Sequence, residues 1–204
     1  MRAAAIAMAL AGACSDPESA RIKDTTKPTY DKSSGKLTQL TYDANKNGKI
    51  DTWTDMDGAT PLRSRIDSDE DGRIDRWEYY DAAGALAKVG FSRKQDGTVD
   101  AWVFAGADGK VERVEMSSTR DERKIDRWEH YAGGVLARVD EDTNADARPD
   151  KWEVYDNGTL KTATMDDDGD GSADRRLTYQ AGTLVLIESE PDAAGAYRRR
   201  ITVR

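Results

Sequence analysis

The chain has 204 residues, of which 37% are hydrophobic and 34% charged, with a formal net charge of -8 and one cysteine. That length holds one or two ordinary domains, but a composition this polar folds only if its apolar residues recur at ordered spacings. The acidic balance argues against a phosphate-binding surface, and so against nucleic acid as a partner, and a lone cysteine leaves no disulfide framework.

Residues 1–14 read MRAAAIAMALAGAC: one Arg, an Ala-rich apolar run, then small residues up to Cys14. This segment resembles a short bacterial lipoprotein signal. The resemblance implies cleavage of residues 1–13, lipidation of Cys14 and attachment to a membrane through lipid. Leu10 stands one place earlier than that family's usual pattern, and a plain secretory signal is the alternative. Ser15, not Asp, follows the cysteine, which by the family's sorting rule implies the outer membrane of a bacterial cell envelope. No later stretch reaches the roughly 18 apolar residues that would span a bilayer. Residues 14–28 are expected to be a flexible tether, and 29–204 the folded domain.

From residue 29 onward one pattern repeats. An Asp followed two residues later by Trp occurs at Asp51/Trp53, Asp75/Trp77, Asp100/Trp102, Asp126/Trp128 and Asp150/Trp152, and a sixth Asp, Asp174, has lost its Trp. These aspartates are 24, 25, 26, 24 and 24 residues apart. A period of that size means a repeat array. Each Trp opens an alternating run, then comes a turn pair such as Asp108-Gly109, Gly133-Gly134 or Asn157-Gly158, then a second alternating run. This is β-hairpin chemistry. The expected fold is all-β: tandem hairpins of about 24 residues forming an elongated sheet or solenoid, with acidic loops between hairpins. Residues 30–43 supply an opening half-hairpin, and GAYRRRITVR closes the array with a strand whose arginines protect its edge.

The acidic loops carry the candidate chemistry. In DSDEDGRIDRWE, oxygen-bearing side chains fall at positions 1, 3, 5, 9 and 12 (Asp67, Asp69, Asp71, Asp75, Glu78), with Gly72 at position 6. This resembles the twelve-residue EF-hand calcium loop, which implies a ligand from the Arg73 carbonyl and a bidentate grip by Glu78. The sixth loop offers Asp166, Asp168, Asp170 and Asp174, with Leu177 at position 12. The fifth offers Asp142, Asn144, Asp146, Asp150 and Glu153, with Ala147 in place of Gly. The first offers Asp43, Asn45, Asn47 and Asp51. The third and fourth put Lys94 and Arg120 at ligand positions and are expected to hold no metal. Hard oxygen ligands without Cys or His favour calcium. No helix fits beside these loops, so they are expected to ride on strands, which aim position 12 differently from a helix. The hairpins YDKSSGKL, YDAAGAL and YDNGTL resemble the Tyr-Asp and MORN-type repeats of bacterial surface proteins.

One Trp per repeat, with Tyr80, Tyr131 and Tyr155, is expected to make the core of so polar a repeat. The alternative is a sugar-stacking ladder. His130, the only histidine, has no nucleophile or second His in pattern with it and is expected on a strand surface. The function these features suggest is non-enzymatic: a calcium-binding, membrane-anchored scaffold or adhesion module with a protein or glycan partner. A carbohydrate-binding or hydrolytic accessory protein is the alternative. If Cys14 is lipidated, the mature protein partitions with membranes and Cys14→Ser releases it or leaves the signal uncleaved. Soluble wild-type protein with a free thiol at residue 14 contradicts the anchor.

Overall fold

In the computed structural model, which describes residues 25–203, the chain forms one open antiparallel sheet in which every strand pairs with its neighbours in sequence. The strands are β1 (Thr26–Tyr30), β2 (Leu37–Tyr42), β3 (Thr52–Asp57), β4 (Thr60–Ile66), β5 (Arg76–Tyr80), β6 (Leu86–Phe91), β7 (Ala101–Ala105), β8 (Val111–Met116), β9 (Arg127–Ala132), β10 (Val135–Glu141), β11 (Lys151–Asp156), β12 (Thr159–Met165), β13 (Arg175–Gln180), β14 (Thr183–Pro191) and β15 (Tyr197–Thr202). The tandem hairpins therefore build an elongated sheet. The signal segment, Cys14 and the tether as far as residue 24 lie outside the described residues. β1 begins at Thr26, so Thr26, Lys27 and Pro28 belong to the sheet and not to the tether. Pro28 is tolerated there because an edge strand can spare an N–H. At the other edge, Arg200 pairs with Glu188 at 3.0 Å, and charged side chains line β15. Among the described residues no helix is long and apolar enough to cross a membrane.

Strand direction alternates, so short turns fall along one margin and the longer segments 43–51, 67–75, 92–100, 117–126, 142–150 and 166–174 along the other. The turn residues explain the first margin. Asn157 and Gly158 have φ of 48° and 73°, and Gly133 and Gly134 have 60° and 84°. Two successive left-handed residues match the twist of the flanking strands, which is why Asn-Gly and Gly-Gly stand there.

Register then sorts the side chains by face. Trp53 faces Arg65, which faces Trp77; Trp77 faces Gly90, which faces Trp102. The row continues through Glu115, Trp128, Asp140 and Trp152. The five tryptophans thus stand on alternate strands of one face, about 10 Å apart. A Cβ on Gly90 would come within 2.8 Å of the Trp102 ring. Only glycine lets that ring lie flat on the sheet. The Lys88 ammonium caps the same ring at 4.4 Å.

Tyr80, Tyr131 and Tyr155 lie on the opposite face, because residues three apart on a strand point to opposite sides. The expected joint core of Trp and Tyr therefore does not form. Each tyrosine hydroxyl instead donates to the glutamate two residues before it: Tyr80 to Glu78 at 2.6 Å, Tyr131 to Glu129 at 2.7 Å and Tyr155 to Glu153 at 2.6 Å. Cations complete the row, with Arg76 at 2.5 Å from Glu78 and Lys151 at 2.7 Å from Glu153. Opposite these glutamates sit the buried apolar residues Val89, Val139 and Ala163. Burying each valine contributes on the order of 1.5 kcal/mol and the alanine methyl roughly 0.8 kcal/mol, so each strand pair is held by small, repeated gains.

Burial alone would push the Glu153 carboxyl up, but the hydrogen bonds and charge of Lys151 and the Tyr155 hydroxyl outweigh it and hold the group below its ordinary 4.5. A lowered folded value stabilises fully above the unfolded one and is lost as pH falls through the folded one. The difference in melting midpoint between wild type and Glu153→Gln should therefore be largest at neutral pH and shrink on acidification below 4.5. A pH-independent difference would mean that the glutamate acts through packing alone.

Candidate metal sites

The acidic margin is built on the aspartate of each Asp-x-Trp and on Asp174, its counterpart in the sixth repeat. Asp51, Asp75, Asp100, Asp126, Asp150 and Asp174 each accept the N–H of the second residue of their own loop: Ala44, Ser68, Arg93, Ser118, Thr143 and Asp167. Their backbone carbonyls take part as well. Asp67, Ser92, Ser117, Asp142 and Asp166 donate their N–H groups to the carbonyls of Asp51, Asp75, Asp100, Asp126 and Asp150, joining each loop to the next. These loop-closing aspartates recur even in loops with few other carboxylates. Their first task is to close the loop.

Inside each acidic loop the side chains of positions 1, 3 and 5 fold back on the backbone. Asp67 accepts the Gly72 N–H at 2.9 Å, Asp69 that of Asp71 at 3.2 Å and Asp71 that of Arg73 at 2.8 Å. The same arrangement appears at Asp43, Asn45 and Asn47, at Asp142, Asn144 and Asp146, and at Asp166, Asp168 and Asp170. This winding turns several carboxyl oxygens toward one point. The ligand oxygens of Asp67, Asp69 and Asp71 lie within 4.8 Å of one another, as do those of Asp166, Asp168 and Asp174. Backbone N–H bonds outweigh burial at Asp166 and hold its carboxyl below the ordinary value, which keeps it charged.

The second loop differs from the rest at one atom. Asp67 is 5% exposed, and its Oδ1 is buried without a hydrogen-bond partner. In the fifth and sixth loops the equivalent oxygen is bonded: Asp142 Oδ1 takes the Ala145 N–H at 2.7 Å and Asp166 Oδ1 that of Gly169 at 2.7 Å. A buried, unpaired carboxylate oxygen is costly, and a cation is the partner that would satisfy it while screening Asp69 and Asp71.

Other proposed ligands are engaged elsewhere. Glu78 and Glu153, at position 12, point onto the sheet face, where Tyr80 with Arg76 and Tyr155 with Lys151 hold them. The strand replaces the helix that would turn position 12 back toward the loop. Arg73 is exposed, with its N–H on Asp71. Asp75 lies outside the second-loop cluster, while Asp174 belongs to the sixth. In the fourth loop an extra residue makes Ser117 the first position, so Arg120 stands fourth and not third. Glu70, also fourth in its loop, accepts hydrogen bonds from Asn45 and Asn47 of the preceding loop and pairs with Lys49 at 3.4 Å. The twelve-residue pattern is silent about position 4. Its signal is the repeat itself, since Glu70 lies 25 residues after Asn45. His130 lies on β9, 3.3 Å from Asp140.

No family model matches the chain, and no curated protein matches it. Among solved structures, part of the chain is similar to accessory secretory protein 1, 2 and 3 of Streptococcus pneumoniae, with a TM-score of 0.39, 15% identity and cover of 53% of this chain and 19% of that one. A GtfA/B complex bound to UDP and GlcNAc gives 0.31 and 12%, over 53% and 20%. A variant of TarM from S. aureus, in complex with Fondaparinux, alpha-GlcNAc-glycerol and UDP, gives 0.31 and 13%, over 47% and 22%. The matched segments span about a fifth of those chains.

Position 4 is left-handed in every loop, and position 6 in all but the fourth. At position 6, Gly48, Gly72, Gly97 and Gly171 have φ between 84° and 93°, and Ala147 is held at 69°. A Cβ in that region costs roughly 1 kcal/mol. Ala147→Gly is therefore expected to raise stability by about 0.5 to 1 kcal/mol, and Gly72→Ala to lower it by a similar amount, by denaturant titration. No space limits Gly72, since nothing lies within 4 Å of a Cβ there. Equal stability in both variants would show that the loops relax around the added methyl.

Proposed function

We propose that the acidic margin binds calcium and that the protein is a calcium-stabilised repeat scaffold, lipid-anchored in a bacterial envelope, for adhesion or envelope interaction. The observation that carries this reading is Asp67 Oδ1: buried, unpaired and gathered with Asp69 and Asp71. All three donors are carboxylate oxygens, the hard ligands that calcium takes in variable number. The Asp166, Asp168 and Asp174 cluster is the second site. Asp43, Asn45, Asn47 and Asp51 and the Asp142, Asn144, Asp146 and Asp150 set share the winding with fewer carboxylates, and rank below both. Without Glu78 or Glu153 as ligands, coordination would be completed by carbonyls and water, which suits the weaker sites of extracellular modules. The role is non-catalytic.

The tryptophan row supports a second reading as a glycan-stacking face. Its flat, regular spacing favours that, while Lys88 capping Trp102 and charged residues between the rings oppose it.

A calcium site satisfied by folding stabilises the sheet by mass action, about 2.7 kcal/mol at 100 times Kd. Calcium is expected to raise the melting midpoint over EDTA, magnesium to raise it less, and Asp67→Asn to remove the second loop's share. Asn keeps an acceptor for the Gly72 N–H, so the variant tests charge and not loop closure. Superimposable melts with and without calcium would end this reading.

A further inference from the structure

The third loop carries charge of its own kind. Its first position is Ser92 and the next loop's is Ser117, so both lack the leading carboxylate, and their hydroxyls accept the Asp96 and Asp121 N–H groups at 3.1 Å. Two carboxylates remain, Asp96 and Asp100, and Asp100 is 1% exposed. Two guanidinium groups meet them. Arg93 donates to Asp100 Oδ1 at 3.0 Å and to the Ser117 carbonyl at 2.6 Å. Arg120, reaching back one repeat from the fourth position of the next loop, donates to Asp96 and lies 3.4 Å from Asp100 Oδ2. Both oxygens of the buried Asp100 therefore face a cation supplied by the chain.

The contrast with the second loop is one of charge. There three aspartates (Asp67, Asp69, Asp71) are gathered and the residue reaching back from position 4 of that loop is Glu70, an anion directed at the amide-rich first loop. In these two loops position 4 sends back charge suited to the loop before it: a carboxylate to asparagines and Lys49, a guanidinium to Asp96 and Asp100.

We propose that Arg120 is a built-in cation for the third loop, so that the junction between the third and fourth loops stays closed without metal while the second loop before it and the fifth and sixth after it depend on calcium. This rests on the calcium reading above for the flanking loops, but the arginine clamp is independent of it. Calcium withdrawal would then loosen the margin toward both ends and leave its middle, beside β6 to β9, as a fixed segment.

Amide hydrogen exchange on the full chain, in calcium and in EDTA, tests this with wild type and Arg120→Gln. Gln is a fair replacement because Gln95 holds the same left-handed position in the third loop, at φ 55° against 63° for Arg120. In wild type, EDTA should speed exchange severalfold at Gly72 and Gly171, whose N–H groups sit on Asp67 and Asp166, and leave Arg93 and Thr98 unchanged. In Arg120→Gln, Arg93 and Thr98 should exchange severalfold faster in both conditions, with Val89 in β6 unaffected. The clamp is overturned if the variant leaves Arg93 and Thr98 as they were, or if Val89 accelerates with them, which would make Arg120 a support of the sheet. The division of the margin is overturned if calcium protects Arg93 and Thr98 in wild type as it does Gly72. If no loop responds to calcium while the variant still frees Arg93 and Thr98, the calcium reading fails and the division with it, a result distinct from failure of the clamp.

Discussion

The architecture depends on the aspartate that ends each long loop, buried in four of the six. Asp51, Asp75, Asp100 and Asp150 are all 6% exposed or less, and each spends its carboxylate on a backbone N–H at the start of its own loop. The same residues pass the chain on to the next repeat through their carbonyls. Leaving a buried donor unpaired costs about 1 to 3 kcal/mol. The side chain therefore sets the shape of its loop, and the backbone sets the spacing of the loops.

From that closure follows, among the described residues, a sheet with no second layer. Each strand touches its sequence neighbours, so the stability of this part is a sum of nearest-neighbour terms, and no distant described segment seals a core. A single layer must make both faces serve. One face lays tryptophan rings over small or charged neighbours, as at Gly90 and Lys88. The other binds glutamate between a tyrosine hydroxyl and a cation, with Val89, Val139 and Ala163 filling the space opposite. High charge content and an ordered fold are compatible here because carboxylates on the strands have partners within the sheet.

Along the acidic margin, the chain settles like-charge repulsion in more than one way. Backbone N–H groups take most inward oxygens, Glu70 and Lys49 neutralise one another beside the first loop, and Arg93 with Arg120 neutralise the third. Asp67 Oδ1 is the exception among its equivalents. The Asp67, Asp69 and Asp71 group carries more charge than its neighbours supply.

The repeat was legible in the sequence because a recurring Asp-x-Trp and period-two alternation are local signals, and local signals decide strands and turns. Asn157-Gly158 and Gly133-Gly134 set hairpins wherever they occur. The replacement of Gly by Ala147 at position 6 was legible for the same reason, and the structure holds it at a positive φ. Three matters were decided only by tertiary structure. Glu78 and Glu153 fit a calcium loop by spacing, yet a strand directs them onto the sheet, where Tyr80 and Tyr155 wait two residues on. Trp77 and Tyr80 looked like one core, but the pleat separates them. Arg120 read as a residue that spoils its own loop, whereas an extra residue moves it to the position that reaches into the loop before. Spacing along a chain tells which groups can meet; which of them do depends on the face and the neighbour that the sheet register assigns.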